Sequence, residues 1–358
     1  GRNLFLRSVA NQIVDVVPNP TNPAGAALVI REFSLVQRDD AGHITGVQQP
    51  YAEIDFKTSG GRDAYNALML SLTRRSVSGL TANLQYTLGQ SKGTSGGSNE
   101  ADTAANNARA LSDFDYDYGY NKYDVRHTFS ASLLYSLPFG HGRRFGNDAG
   151  ALANALLGGW DLGGIFSARS GLPIAVQITR PDILYRDAAG SYFANPAADR
   201  TPVINTPGGG ASRNVRRPDL VPGVDPYIKD GGLIYLNPAA FAIPQPGTWG
   251  NLERNSIYGP GFQQVDFFFA KRFGLGDRRS VEFRGEIFNL FNAVNFPTPS
   301  ATLPSVIPAT TLGGNTLQPG QAYTPATAGS WGRLTSTVGR TVGLGTARQT
   351  QFALRFSF

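Results

Sequence analysis

Residues 348–358, RQTQFALRFSF, alternate strictly. Phe352, Leu354, Phe356 and Phe358 share one parity and Gln351, Ala353, Arg355 and Ser357 the other, and a period of two marks a strand with two unlike faces. In water, a terminal strand of exposed phenylalanines is an aggregation hazard. With lipid on one side and a polar lumen on the other it is not. The same alternation sets Leu80, Ala82, Leu84, Tyr86 and Leu88 against Thr81, Asn83, Gln85 and Thr87. Val125, Phe129, Ala131, Leu133, Tyr135 and Leu137 oppose Arg126, Thr128, Ser130, Ser132 and Ser136, with Leu134 the exception. Val281, Phe283, Ile287 and Phe291 oppose Glu282, Arg284 and Glu286. Trp160, Leu162, Phe166 and Ala168 are in phase, and Ile174, Val176 and Ile178 are expected to carry that strand on beyond Pro173. Leu68, Leu70 and Leu72 share a face, in a hairpin whose turn the pattern places at Gly60-Gly61-Arg62.

Residues 1–50 are the least legible, with short β-like runs at 3–9 and 27–36 around the Pro/Asn-rich stretch 18–23, and the sharper strand pattern occupies 51–358. A short helix is predicted over ALANALLGG, with Asp148 as N-cap and Gly158 as C′ residue. Connections at 76–79, 138–159 and 274–280 are short or moderate, and they alternate with long ones at 90–123, 179–262 and 297–347. A long irregular connection is usually functional or disordered. Outer-membrane barrels alternate short periplasmic turns with long extracellular loops, so the three long segments are expected outside and the C-terminus in the periplasm. The fold class predicted is all-β: an antiparallel transmembrane β-barrel, of which this chain supplies roughly 8–10 strands.

Composition narrows the alternatives. The 43 glycines and 23 prolines suit a turn-rich β protein. No apolar run approaches the roughly 18 residues of a membrane helix, so a passage through the membrane must use strands. With no cysteine, disulfides and thiolate metal sites are excluded. The formal charge is +6, but the arginines come as scattered pairs without a basic block, which argues against nucleic acid as a partner. The chain opens on Gly1 with no initiator Met and no apolar leader, as expected of a chain whose signal peptide was removed or, the favoured reading, of a piece of a longer protein.

Candidate chemistry is thin. Glu282 and Glu286 lie about 13 Å apart along a strand, too far for a glycosidase pair. With Arg126, Arg284 and Arg355 they read as a lumen-facing charge ladder. His127 beside Asp124 has no defined third partner and reads as structural. Asp113, Asp115 and Asp117 have the odd spacing of a calcium loop without its glycine and terminal glutamate, so no metal site is assigned. With Tyr116, Tyr118, Tyr120 and Tyr123 they mark an extracellular rim, where the tyrosines form part of an aromatic girdle or a ligand-contacting surface. No phosphate-cradling loop and no HExxH occur, so neither an enzyme nor a cofactor is expected. Arg74–Arg75, Arg143–Arg144 and Arg278–Arg279 fall at strand ends on the expected periplasmic side, where arginines, and Lys271 beside them, either reach lipid phosphates or simply keep short turns wet.

Several stretches together carry a family resemblance: YNALMLSLTRR (65–75), LTANLQYTLGQSK (80–92), YDVRHTFSASLLYSLPFGHGRRF (123–145), LLGGWDLGGIFSARSGLPIAV (156–176), NPAAF (237–241), GTWGNLERNSIYGPGFQQVDFFFAKRF (247–273), VEFRGEIFNLFNAVNF (281–296) and RQTQFALRFSF (348–358). In this order, over most of residues 60–358, the set resembles the Oar-like TonB-dependent outer-membrane receptors, a family with a carboxypeptidase-regulatory-like N-terminal domain. The resemblance implies a barrel of about 22 strands around an N-terminal plug, with a TonB-contacting segment ahead of the plug. It also implies energised uptake of a ligand it does not identify. Residues 1–358 would then be the C-terminal barrel portion. The terminal aromatic run, Phe352, Leu354, Phe356 and Phe358, looks like the signal read by the barrel assembly machinery. The expected partners are outer-membrane lipid, that machinery, TonB and the unidentified ligand. Two other readings stay open: a non-transporting surface protein used in adhesion or assembly, and a soluble secreted all-β binding domain.

Overall fold

A computed structural model describes residues 1–52, 54–94, 114–207, 216–276, 279–339 and 347–358. The long strands are β1 (Leu4–Val9), β2 (Asp55–Gly61), β3 (Asp63–Val77), β4 (Leu80–Gly93), β5 (His127–Ser136), β6 (Trp160–Arg169), β7 (Phe262–Gly274), β8 (Ser280–Phe288) and β9 (Gln349–Ser357). From β3 to β9 each strand pairs antiparallel with its neighbour in sequence, giving one seven-strand meander. Among the described residues no pairing joins β9 back to β3 or β1, so this sheet is open. No helix of the described residues is long and apolar enough to cross a membrane.

Register preserves parity across every pair, and this turns alternating strands into two coherent faces. One row runs Leu80, Tyr135, Leu162, Phe269, Gly285, Phe352. Trp160, Phe269, Phe283 and Phe352 pack in succession across it at centroid separations of 6.0, 6.0 and 5.9 Å, the first two pairs tilted and the last stacked. A Cβ on Gly285 would lie 2.3 Å from the Phe269 ring, so the glycine is where that ring folds over the backbone. Leu68, Leu70, Leu72, Phe352, Leu354 and Phe356 are all exposed on this face. Leaving each in water forgoes about 1.5–3 kcal/mol, so the face needs an apolar cover. The opposite face carries Asn83, Gln85, Ser130, Ser132, Gln264, Asp266, Glu282, Arg284 and Glu286, relieved by Met69, Leu134, Ile165 and Phe268.

At one end the connections are short or moderate. Ser78 and Gly79 link β3 to β4 with φ of +53° and +81°, the double left-handed backbone of a type I′ turn that matches strand twist. At the other end the connections are long, and three expectations fail there. Gly60-Gly61-Arg62 is not a turn. Arg62 and Thr94 exchange backbone and hydroxyl hydrogen bonds, so β2 runs straight on into β3, and β2 takes β1 as its partner instead. Ile174, Val176 and Ile178 do not prolong β6, which stops at Arg169. β8 ends at Phe288 rather than near residue 296, because Asn289 adopts φ +51° and its side chain bonds Ala293 in both directions.

The segments 179–262 and 297–347, expected to be irregular, build a folded layer in their described parts. Ile174, Val176, Ile178, Leu236, Phe241, Ile243, Leu252, Ile257, Leu303, Tyr323 and Trp331 form its core, with Phe241 and Trp331 edge to face at 5.0 Å. Two-residue ladders tie it: Pro173–Ile174 to Ile257–Tyr258, Gln177–Ile178 parallel to Thr302–Leu303, and Asp219–Leu220 to Phe241–Ala242. The N-terminal segment joins through Ile13–Val17 and Leu28–Arg31, with the Ala27 amide donating to Tyr185 Oη at 3.2 Å. At the tight-turn end the helix is α1 (Ala151–Leu157); its N-cap is Gly150 without a side-chain bond, not Asp148, and Gly158 is its C-cap, with the left-handed turn at Gly159.

The layer is therefore stabilised by its own core rather than by the sheet. Phe241→Ala is expected to remove about 3–5 kcal/mol from it. Protease cleavage within residues 216–252 should rise sharply while the sheet keeps its folded, heat-modifiable mobility on a gel. Equal loss of both would mean that layer and sheet fold as one unit.

Candidate functional site

Where the layer meets the strand ends, polar groups do the joining. The Arg217 guanidinium, 5% exposed, pairs with Asp117 at 3.4 Å, donates to the Tyr116 carbonyl at 2.7 Å and lies 4.0 Å from the Tyr116 ring centre. That ring also packs on Trp249 at 5.6 Å, and its hydroxyl donates to the Gly250 carbonyl at 2.5 Å. Gly250 cannot be replaced there: a Cβ would stand 1.9 Å from the Arg217 carbonyl oxygen. Arg254 bonds the carbonyls of Gly93 and Asp117, each at 3.2 Å, and burial holds it below its ordinary arginine range while Asp117 acts the other way.

The remaining rim candidates fall into the same joint. Asp115 pairs with Arg62 at 2.7 Å, and Arg62 covers the Tyr118 ring at 4.8 Å. Lys92 lies 4.1 Å over the Tyr120 ring and 3.5 Å from Glu253. Tyr120 meets Tyr258 edge to face at 5.6 Å, and Tyr258 Oη donates to Asp124 at 2.8 Å. Asp124 also accepts the Ser91 amide at 2.5 Å, fixing the end of β4. Burial, and then the Asp124 carboxylate, pushes the Tyr258 hydroxyl up, so it stays a donor at neutral pH. Tyr116, Tyr118 and Tyr120 thus place their half-buried rings in this joint, while Tyr123 is exposed. Asp113 lies outside the described residues.

Sequence reasoning passed over the arginines. Arg180, 4% exposed, donates to Thr248 O at 3.1 Å, Asn205 O and Oδ1 at 2.8 Å, Gln245 O at 3.1 Å and Pro244 O at 3.3 Å. Burial, with Arg216 nearby, pushes it down to about 10, still cationic at neutral pH, so the carbonyl cage satisfies a permanent charge. Arg216 bonds both the Arg180 carbonyl and Asp182. A signal existed: the triplet Arg-Pro-Asp recurs at 180–182 and 217–219, and both copies sit in this framework.

Among the predicted ladder residues, Glu282, Arg284, Glu286 and Arg355 share the polar sheet face, through Glu282 opposite both Arg272 and Arg355 and Glu286 opposite Gln351. Arg272 pairs with Glu282 at 2.9 Å and Arg284 with Glu286 at 2.6 Å. Arg126 precedes β5, three strands along the sheet from β8, and bonds the Gly89 carbonyl at 3.4 Å. His127 Nδ1 and the Tyr86 hydroxyl share a hydrogen bond at 2.8 Å. Phe352, Leu354, Phe356 and Phe358 stand exposed in one row of β9 and its last residue.

The buried pair predicts a specific weakness. Asp117→Ala should cost about 3–5 kcal/mol, because it strips a desolvated guanidinium of its carboxylate. Amide exchange over residues 114–126 and 216–219 should accelerate while exchange in β5 and β6 stays as it was. Unchanged exchange over 114–126 would show that the pair does not hold the joint.

A sheet with one apolar exposed face, one charged face, shorter connections at one end and a folded layer at the other is the wall of a membrane barrel. Comparison with protein families matches residues 1–351 to the outer membrane beta barrel domain. Neither the curated proteins nor the solved structures gave a match. The protein resides in the outer membrane, and the chain belongs to the outer membrane beta barrel domain family.

Proposed function

We propose that this chain is the wall and extracellular face of a TonB-dependent outer-membrane receptor that takes up a ligand with energy passed from the inner membrane. The observation that carries the reading is the open seven-strand sheet with a charged inner face. A barrel that contains it needs further strands, and barrels of about 22 strands enclose a lumen wide enough for a plug. Arg126, Glu282, Arg284, Glu286 and Arg355 then face that lumen, and the layer at the strand ends is the outside surface that meets the ligand first. TonB engages a segment preceding the plug, the assembly machinery reads the terminal aromatic row, and no step calls for catalysis or a cofactor. Residues 51–358, as barrel strands and loops, carry this role.

A second reading, a non-transporting surface protein, is favoured by the layer's buried clamps, which suit a fixed adhesive surface. Cysteine labelling separates the two in the intact protein. Asn315→Cys should react with an impermeant maleimide on whole cells and Phe352→Cys should not. Glu286→Cys should be shielded while the plug is in place and become reactive when the plug is deleted. If Glu286→Cys reacts equally in both forms, no plug fills the lumen and the transport reading falls.

The terminal row gives a second test. Phe358 is fully exposed beyond the last strand, so its side chain adds little to the folded sheet. Deleting it should nevertheless lower outer-membrane levels severalfold, whereas Arg355→Ala on the other face has a mild effect. Equal surface levels for deletion and parent, with periplasmic proteases intact, would remove the assembly-signal role.

A further inference from the structure

The connection between β5 and β6 is more elaborate than a turn requires. Pro138 to Gly146 fold back on themselves, with the Phe145 amide on the Pro138 carbonyl and the Gly140 amide on the Phe145 carbonyl, each at 2.9 Å. Phe139 and Phe145 pack at 5.7 Å, and Arg144 covers the Phe145 ring at 5.3 Å. Gly140 has φ +107°, and a Cβ on it would meet the Gly158 Cα at 2.8 Å, so the fold-back closes on the end of α1.

α1 is then clamped to the sheet. Trp160 Nε1 donates to Leu156 O at 2.8 Å. Lys271, on the apolar face of β7, is almost fully buried; its ammonium donates to Gly158 O at 2.5 Å and lies 5.0 Å from the Trp160 ring. A cation on the last carbonyls of a helix stabilises that end. Lys271 therefore fixes the helix and is not a free headgroup ligand.

This clamping leaves Leu152, Leu156 and Leu157 exposed on a helix with no polar reason to show them, beside exposed Phe139 and Phe145. Between α1 and the apolar face runs a groove of about 470 Å³ lined by Leu137, Phe139, Leu157, Trp160, Leu162 and Phe269. Sharing Phe139 with it is a second cavity of about 370 Å³, lined by polar and basic groups that include His141, Arg143, Asn154 and Arg272. An acyl-sized apolar groove on the membrane face of the sheet opens beside a cationic pocket at the sheet's end.

We propose that this connection binds one anionic glycerophospholipid of the periplasmic leaflet. An acyl chain lies in the groove under α1, the phosphate lies at Arg143 with Arg144 beside it, and Leu152 and Leu156 enter the surrounding acyl region. The inference rests on the orientation proposed above, with tight turns in the periplasm. What selects lipid over a soluble anion is the continuity of groove and pocket, since both halves of one amphiphile fit at once.

Native mass spectrometry of the intact, delipidated protein tests it with three probes: phosphatidylglycerol, diacylglycerol, which lacks the phosphate, and glycerophosphoglycerol, which lacks the chains. Phosphatidylglycerol should be retained well above both. The Arg143→Ala/Arg144→Ala double variant should weaken its retention about 25-fold, given the attraction of a basic residue near an anionic lipid surface. Leu157→Asn, exposed and harmless to folding, should weaken retention of both chain-bearing probes. Glycerophosphoglycerol binding as well as the lipid would reduce the site to a plain anion site and overturn the proposal, and so would unchanged retention in the double variant. Orientation is checked separately: Asn147→Cys should label only after the envelope is opened. Labelling on intact cells would sink the orientation whatever the lipid measurements show.

Discussion

In hydrocarbon a backbone amide or carbonyl has no water to turn to, and every other feature of this molecule follows from that constraint. Only an unbroken ladder of strands satisfies it without helices. From β3 to β9 each strand pairs with the strand next in sequence, and parity is kept at every pairing. A slip of one residue anywhere would exchange the two faces of the strand concerned. Leu72, Leu84, Ala131, Phe166 and Val265 would then no longer form one row. The register irregularity between Arg74 and Val77 is confined to the turn tip, where water is available again. At two glycines inside the sheet a neighbouring ring fills the space of the missing side chain: Phe268 over Gly163 and Phe269 over Gly285.

Beyond the hydrocarbon the same constraint is met differently. Prolines and two-residue ladders leave many carbonyls unpaired in the layer, and arginine side chains, each with five donors, take them up. Arg180 serves four backbone carbonyls; Arg254 ties the Gly93 carbonyl at the end of β4 to Asp117. A lysine could not do this, having one compact centre of charge. The arginines hold the layer together by hydrogen bonds, while Phe241, Trp331, Leu236 and Leu303 exclude water around them. The result is a surface whose geometry is fixed before any partner arrives, which lowers the ordering cost of binding.

The strands were legible because lipid and lumen impose opposite demands on alternate residues, leaving a period of two in the sequence. That signal misleads where alternation has another cause. Ile174, Val176 and Ile178 alternate because short pieces of chain bury them in the layer, and Phe291 keeps the parity of β8 beyond the point where Asn289 has turned the chain away. Gly60 and Gly61 resemble a turn in composition, yet Thr94 and Gly1 hydrogen-bond on either side of Arg62 and Asp63 and keep the chain extended. The layer's core was illegible because its members come two or three at a time from distant segments and no period links them. The joint at Asp117 and Arg217 was half legible: the acidic and aromatic residues at 115–123 stood out, but nothing in spacing reveals an arginine a hundred residues away.

The two ends of the sheet are held by opposite devices, and this bears on how a signal from outside could reach the wall. At the layer end the strands meet buried polar joints: Asp124 fixes β4 through Ser91 and the layer through Tyr258, and Asp266 in β7 accepts the Asn289 amide where β8 leaves the sheet. Such joints are directional, and a shift of the layer changes their lengths at once. At the turn end the contacts are apolar and cationic, with α1 clamped by Lys271 and its leucines turned outward. Apolar contacts tolerate sliding better than directional hydrogen bonds do. Displacement of the layer therefore strains the upper ends of β4 and β7 first, while the lower ends keep their place. Hydrogen bonds that run across the sheet tie each strand to its neighbours, so the ladder shares that strain with the strands alongside.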